Sequence, residues 1–122
     1  RRDLKPVLEN LFADAGLASR QMTDDLLKYK RLDGVGDALC AIAEAMFANG
    51  QQAATLGDAI TAAAVPASVV WGEEDRVIPA AHGAALGAGA RSAVIRTGGH
   101  MVQMEAAGKV NALLKDHITA HA

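Results

Sequence analysis

Two short runs of apolar and β-branched residues constrain the fold of this chain more than any other feature. The first is ASVVW at 67–71, and the second is SAVIR at 92–96. Each is soon followed by glycine, which is typical of buried strands that end in tight turns. One helix, about 79–86, is predicted between them, and a longer one follows at about 102–120. A strand, a crossover helix and a second strand predict a parallel pair within a βαβα unit.

The first half of the chain has apolar residues at helical spacing instead. Three such stripes are Leu4, Leu8, Leu11 and Phe12; Met22, Leu26 and Tyr29; and Leu39, Ile42, Ala43, Met46 and Phe47. Ser19 is expected to cap the second helix, Asn49-Gly50 to end the third, and a weaker fourth helix covers about 53–64. The sequence therefore predicts an α/β protein with a helical segment at 1–64 and a βαβα segment at 65–122. Two parallel strands are marginal alone, so we expect another element to cover or extend them.

Composition excludes several classes of function. The net charge of −2 gives no electrostatic footprint for nucleic acid or an anionic membrane, and no apolar run approaches the length of a membrane span. The single cysteine, Cys40, lies in a helical stripe, where we expect a buried small hydrophobic residue. A chain without a cysteine pair suits a reducing compartment, so a cytoplasmic location is expected. Because the sequence begins RRDLKP without methionine, we also expect a processed product or a fragment.

A carboxylate and an imidazole follow the two predicted strands. Asp75 comes four residues after Trp71, and His100 comes four residues after Arg96. Loops at the carboxyl ends of neighbouring parallel strands converge, so the two side chains can meet there. A carboxylate bound to one ring nitrogen would orient the imidazole as a general base. The alternative is a surface aspartate in a turn and a histidine at a helix N-terminus.

The motifs VPASVVWGEEDRVIP and GGHMVQMEAAGKVNALLKDHI resemble the C-terminal part of the α/β-hydrolase fold. In that family the triad runs Ser, Asp, His along the chain, and Asp75 before His100 obeys this order. The helical half resembles the cap of such hydrolases. Its segment LFADAGLASRQMTDDLLKYKRLDGVGDAL is most similar to the hydrolase-like domain of the dihydrolipoyl acetyltransferase component of bacterial acetoin dehydrogenase complexes. The resemblance implies a hydrolase or acyltransferase acting on a small acyl ester or thioester.

The family's nucleophile is missing from this chain. Its serines are Ser19, Ser68 and Ser92, and none lies in a Gly-x-Ser-x-Gly elbow. The His-x-x-x-Asp-Gly motif of acyltransferases from 2-oxoacid dehydrogenase complexes is missing as well. We therefore expect a domain fragment that is inactive alone. No cofactor is expected in this chain, although the narrower resemblance implies a lipoyl group in the complete protein.

Several other residues receive weaker assignments. Trp71 and Met101 are candidates for the wall of a substrate pocket, whereas Met104 is expected in the core. Glu105 is interpreted as a first-turn carboxylate, or alternatively as a residue that positions the His100 loop. The inward positions expected on the last helix are Met104, Val110, Leu113, Leu114 and Ile118. The remaining histidines, His82, His117 and His121, are expected in solvent, and no spacing favours a metal site.

A second class of function remains open. The first strand should present an unpaired edge, and exposed edges readily pair with other chains. The chain could therefore be a non-catalytic interaction module that forms a homo-oligomer through that edge or through exchange of helices.

Overall fold

The computed structural model of the chain describes residues 2–54, 56–84 and 90–122. The first half contains α1 (Leu4–Asn10), a 3₁₀ helix (Ala15–Leu17), α2 (Arg20–Lys30), α3 (Val35–Met46), β1 (Phe47–Ala48), β2 (Gln51–Gln52) and α4 (Leu56–Ala62). The second half contains β3 (Ser68–Gly72), α5 (Ala81–Ala84), β4 (Arg91–Ile95), α6 (Val102–Glu105) and α7 (Ala107–Ala120). The predicted mixture of helices and a small sheet is confirmed. None of the helices in these ranges is long and apolar enough to span a membrane.

Strands β3 and β4 pair in parallel, as the crossover pattern predicts. Their register runs from Ser68 opposite Arg91 to Gly72 opposite Ile95. Helix α5 lies in the crossover and begins at Ala81, two residues after the expected start at Pro79. The expected end of this helix, near residue 86, lies outside the described residues.

The buried core lies where α6 and α7 cover the small sheet. Ile95, Val102 and Val110 form its centre, and Val70 and Ala106 pack against them. Two residues near the end of α1, Leu8 and Phe12, are also buried, and the Phe12 side chain is only 2% exposed. The stripe predicted for the first helix therefore supplies core residues.

Helix α2 begins as the sequence predicts. The Ser19 hydroxyl oxygen accepts a hydrogen bond from the Met22 backbone N–H at 3.1 Å. This bond satisfies one of the N–H groups that lack a partner in the first turn of a helix.

Helix α3 departs from the prediction because its apolar stripe is exposed. Leu39, Ile42 and Met46 all lie on the surface, so no described part of the chain covers this face. Cys40 is exposed too, and its predicted burial is wrong. Helical periodicity identifies an apolar face, but it does not identify what packs against that face.

Helix α3 ends at Met46, before the predicted stop at Asn49-Gly50, and this pair instead forms the turn of an unpredicted hairpin. Phe47 lies opposite Gln52 and Ala48 opposite Gln51 in an antiparallel pair. Asn49 and Gly50 have φ values of 54° and 75°, the left-handed region that Asn-Gly turns favour.

The last helical region is divided at Ala106, whose φ of −131° and ψ of 41° are not helical. This break separates α6 from α7. Val110 is buried as expected, but the predicted burial of Met104, Leu114 and Ile118 is wrong, since all three are exposed. Val110, Leu114 and Ile118 share one face of the unbroken helix α7, and of these three only Val110 belongs to the core formed with Ile95 and Val102.

Candidate functional site at the strand ends

Hydrogen bonds join the loop that follows β3, residues 73–80 (the Asp75 loop), to the loop that follows β4, residues 96–101 (the His100 loop). The N–H of Glu73 donates to the Ile95 carbonyl at 3.0 Å, and the N–H of Glu74 donates to the Gly98 carbonyl at 2.9 Å. Gly72 lies so close to this second loop that an added Cβ would overlap the carbonyl oxygens of Gly98 and Gly99. Only glycine fits at this position, so the close approach of the two loops depends on it.

The two loops bring Asp75 and His100 into contact. Nδ1 of His100 lies 3.0 Å from Oδ2 of Asp75. A carboxylate only accepts hydrogen bonds, so Nδ1 must carry the proton and Nε2 of the neutral ring keeps its lone pair. The Asp75 side chain is 4% exposed, whereas that of His100 is 32% exposed. The carboxylate is therefore enclosed, while the imidazole remains accessible.

The backbone holds the Asp75 carboxylate in place. Its Oδ1 accepts hydrogen bonds from the N–H of Val77 at 2.8 Å and of Ile78 at 2.9 Å. Desolvation by burial acts to raise the pKa of Asp75. The bonds from Ile78, His100 and Val77 outweigh that effect, so the pKa lies below its ordinary value of 3.8. Asp75 is consequently a fixed negative charge at neutral pH.

A cavity of about 190 Å³ adjoins this pair. Its described lining is Val70, Trp71, Gly72, Asp75, Ile78, His100 and Val102. Trp71 is fixed there because its Nε1–H donates to the Ile78 carbonyl at 2.9 Å. The predicted pocket residue Trp71 thus lies beside the pair, but the lining does not include Met101.

None of the candidate nucleophiles of this chain lies against His100. Ser19 caps α2, and the Ser68 hydroxyl lies 2.8 Å from Nδ1 of His117. Ser92 lies within β4, and Cys40 lies on the exposed side of α3. The accessible nitrogen of His100 therefore has no serine or cysteine of this chain to deprotonate.

The other titratable residues are spread over the surface. His82 is exposed on α5, and the rings of His117 and His121 lie 4.5 Å apart near the end of α7. Within residues 2–54, 56–84 and 90–122, no group of three or more histidine, cysteine or acidic side chains is arranged to hold a metal ion.

Glu105 has contacts that its interpretation as a first-turn carboxylate does not describe. One of its oxygens accepts hydrogen bonds from the N–H groups of Ala13 at 2.7 Å and Asp14 at 3.3 Å. The other accepts from the N–H of Gly99 at 2.6 Å. The alternative interpretation of Glu105, that it acts on the His100 loop, agrees with this geometry. The contact with residues 13 and 14 has no signal in the sequence, because these residues are 91 or 92 positions away.

Comparison with known proteins confirms the resemblance found in the sequence. The chain is 53% identical over 118 residues to the dihydrolipoyllysine-residue acetyltransferase component of the acetoin cleaving system of Cupriavidus necator. It is 44% identical over 121 residues to the component of the same name from Pseudomonas putida. These matches cover 97% and 99% of this chain.

A more distant relative is a hydrolase. The chain is 33% identical over 103 residues, 80% of its length, to the 2-hydroxy-6-oxononadienedioate/2-hydroxy-6-oxononatrienedioate hydrolase of Paraburkholderia xenovorans. The chain spans 32% of each acetyltransferase component and 35% of the hydrolase. No family model matches the chain, and no solved structure matches it.

Proposed function

We propose that this chain is part of an α/β-hydrolase-type domain. The premise is its similarity, over nearly its whole length, to a segment of two acetyltransferase components. In that domain Asp75 and His100 are two members of a Ser–Asp–His triad that transfers acyl groups from esters or thioesters. The observation that carries the proposal is the 3.0 Å contact between His100 Nδ1 and Asp75 Oδ2 beside an apolar cavity. The similarity to a named hydrolase supports the same assignment.

The chemistry assigned to the pair is general acid–base catalysis. Nε2 of His100 takes the proton from a serine hydroxyl as its oxygen attacks the acyl carbonyl, and Asp75 stabilises the resulting imidazolium. His100 then returns the proton to the leaving alcohol or thiol. Hydrolysis follows if water accepts the acyl group, and acyl transfer follows if a thiol accepts it.

The proposal assigns the serine to a part of the protein outside these 122 residues. This assignment is supported by the positions of Ser19, Ser68 and Ser92, each of which is remote from His100. The helical segment 1–64 would then roof the substrate, in keeping with its resemblance to a hydrolase cap. Trp71 would form one wall of the pocket, and Met101 would act only through its backbone.

The proposal places the lipoyl group implied by the relatives' names on another part of the protein. The lysines lie on α1, α2 and α7, and none is part of the described lining of the cavity beside His100. No step of the proposed chemistry therefore uses a group attached to these residues. A lipoyl group on another part of the protein would meet this site only as an acyl carrier.

The test is to assay the full-length protein with short-chain acyl esters and acetyl thioesters. His100→Ala is expected to lower kcat by about 10²- to 10⁴-fold, the usual contribution of a general acid–base residue. His82→Ala is the matched control, because His82 is exposed and is not part of the described lining of the cavity, and the rate of this variant should be unchanged. Unchanged turnover in His100→Ala would refute the assignment.

A second function is favoured by the surface of the chain. The apolar residues Leu39, Ile42 and Met46 on α3 are exposed together, and large exposed patches commonly mark interaction sites. β3 pairs only with β4 among the described strands, so its other edge is unpaired. The alternative is therefore a non-catalytic module that self-associates through these surfaces.

Sedimentation tests the second candidate. A self-associating module should form a dimer or larger oligomer that Ile42→Lys disrupts, while Glu44→Lys, on the same helix, should have little effect. A chain that stays monomeric at high concentration would contradict the alternative. Oligomerisation and acyl transfer are compatible, so only the assay of His100→Ala tests the first candidate.

A further inference from the structure

Glu105 connects the His100 loop to a segment from the other half of the chain. This segment, residues 11–14, follows α1 and contains the deeply buried Phe12. One Glu105 oxygen accepts from the N–H groups of Ala13 and Asp14, and the other accepts from Gly99. A half-buried carboxylate thus binds three backbone donors, two on the 11–14 segment and one beside His100.

The backbone N–H groups of the residues before and after His100 are both fixed by hydrogen bonds. The N–H of Gly99, immediately before His100, donates to Glu105 at 2.6 Å. The N–H of Met101, immediately after it, donates to the Leu11 carbonyl at 2.9 Å. His100 is consequently held between two hydrogen bonds, and each leads to the 11–14 segment.

The contact between the two loops is tight as well as polar. A Cβ added at Gly99 would overlap the backbone of Ala13 and lie 2.8 Å from the carbonyl carbon of Phe12. From the Asp75 loop, the Arg76 guanidinium donates to the Ala13 carbonyl at 3.4 Å. The 11–14 segment therefore contacts the loops of both members of the pair.

We propose that Glu105 is a positioning residue that holds His100 against Asp75 by tying the Gly99 peptide to the 11–14 segment. This role rests on the acyl-transfer function proposed above. Small errors in the placement of a catalytic group have large effects on rate, because the reacting atoms must meet at a defined distance and angle. The hydrogen bonds of Glu105 are to backbone N–H groups, and Glu105 is not part of the described lining of the cavity, so the proposed role acts through His100.

A purely structural role for Glu105 predicts a different result. A carboxylate that only stabilises the fold would affect the free energy of unfolding and leave the imidazole of the folded protein unchanged. A positioning residue must change the state of the His100 ring in the folded protein. The ¹⁵N chemical shifts of His100 report which ring nitrogen carries the proton, and therefore separate the two roles.

The experiment compares Glu105→Ala, Glu105→Gln and Glu44→Ala in the full-length protein. Glu44 is an exposed carboxylate on α3, so Glu44→Ala removes the same charge without touching the site. Glu105→Ala should lower kcat about 10²-fold and change KM by less than about twofold. Its His100 ring should show mixed tautomers instead of a proton fixed on Nδ1.

Glu105→Gln keeps one amide oxygen as an acceptor, so its kcat and ring shifts should lie between those of wild type and Glu105→Ala. It also serves if Glu105→Ala does not fold. Glu44→Ala should match wild type in both measurements. A folded Glu105→Gln protein with wild-type kcat and wild-type ring shifts would overturn the positioning role.

The two proposals fail in different ways. If His100→Ala keeps full activity, the acyl-transfer function is wrong, yet altered ring shifts in the Glu105 variants would still support the link to His100. If His100→Ala is inactive while the Glu105 variants retain normal rates and shifts, the function stands and the positioning role is wrong.

Discussion

The loops after β3 and β4 differ from the exposed face of α3 in whether the chain itself supplies partners for their side chains. At the strand ends, the Asp75 carboxylate is 4% exposed and both of its oxygens accept hydrogen bonds. On α3, the apolar side chains of Leu39, Ile42 and Met46 are exposed to solvent. The Asp75 carboxylate thus finds its hydrogen-bond partners within this chain, whereas no described part of the chain covers the α3 face.

This difference indicates which segments hold the candidate site in place. The 11–14 segment, the His100 loop and the Asp75 loop are in contact, and they come from distant parts of the sequence. Changes in these three segments should therefore be costly, while equivalent changes on α3 should be tolerated unless another surface covers that helix.

The largest difference in the free energy of unfolding is expected between alanine substitutions of two phenylalanines. Phe12→Ala removes a ring that is 2% exposed and should lower the free energy of unfolding by about 3–5 kcal/mol. Phe47→Ala removes a ring that is 55% exposed, and its effect should stay within about 0.5 kcal/mol. Urea unfolding measures both. Equal losses would contradict the contrast and indicate that another surface covers Phe47.

A smaller contrast is expected between two glycines. Gly72→Ala should destabilise the chain by about 3 kcal/mol, because its Cβ would overlap two carbonyl oxygens of the His100 loop. Gly36→Ala, on α3, meets nothing within 4 Å and should stabilise the helix by about 0.5–1 kcal/mol. Thermal unfolding of the two variants checks the opposite signs. A Gly72→Ala protein as stable as wild type would show that the loops do not approach so closely.

The smallest expected effect is the pH dependence of the stability that Asp75 contributes. The folded-state pKa of Asp75 is depressed, so its contribution to stability is present above the ordinary value of 3.8 and is lost as pH falls through the folded value. The difference in unfolding free energy between wild type and Asp75→Asn should therefore be constant above about pH 5 and shrink below it. A difference that grows as the pH falls would have the wrong sign.

Local sequence signals predict the parts of the structure that depend on local chemistry. β-branched runs indicate β3 and β4, the crossover pattern gives their parallel pairing, and Ser19 caps α2 as expected. The spacing of Asp75 and His100 after the strands also brings them to one edge of the sheet, although their catalytic role stays a proposal. The strands and the cap need only a few neighbouring residues to specify them, and the crossover rule then places β3 beside β4.

The features that the sequence does not predict depend on partners far along the chain. Nothing local indicates that Glu105 binds Ala13, or that α3 would expose its stripe and Cys40. The Asn49-Gly50 signal fits both a helix end and a hairpin turn, and only the pairing of Phe47 with Gln52 distinguishes them. The break at Ala106 likewise has no signal in helix propensity, because alanine is a strong helix former.

The central claim is that Asp75 and His100 act as one catalytic unit. A double-mutant cycle in the full-length protein tests it, with kcat measured for Asp75→Ala, His100→Ala and the double variant on an acetyl thioester. Residues that act as a unit have non-additive effects, so kcat of the double variant should fall by about the same factor as kcat of His100→Ala alone. Losses that multiply in the double variant would mean that the two residues act independently, and would contradict the account.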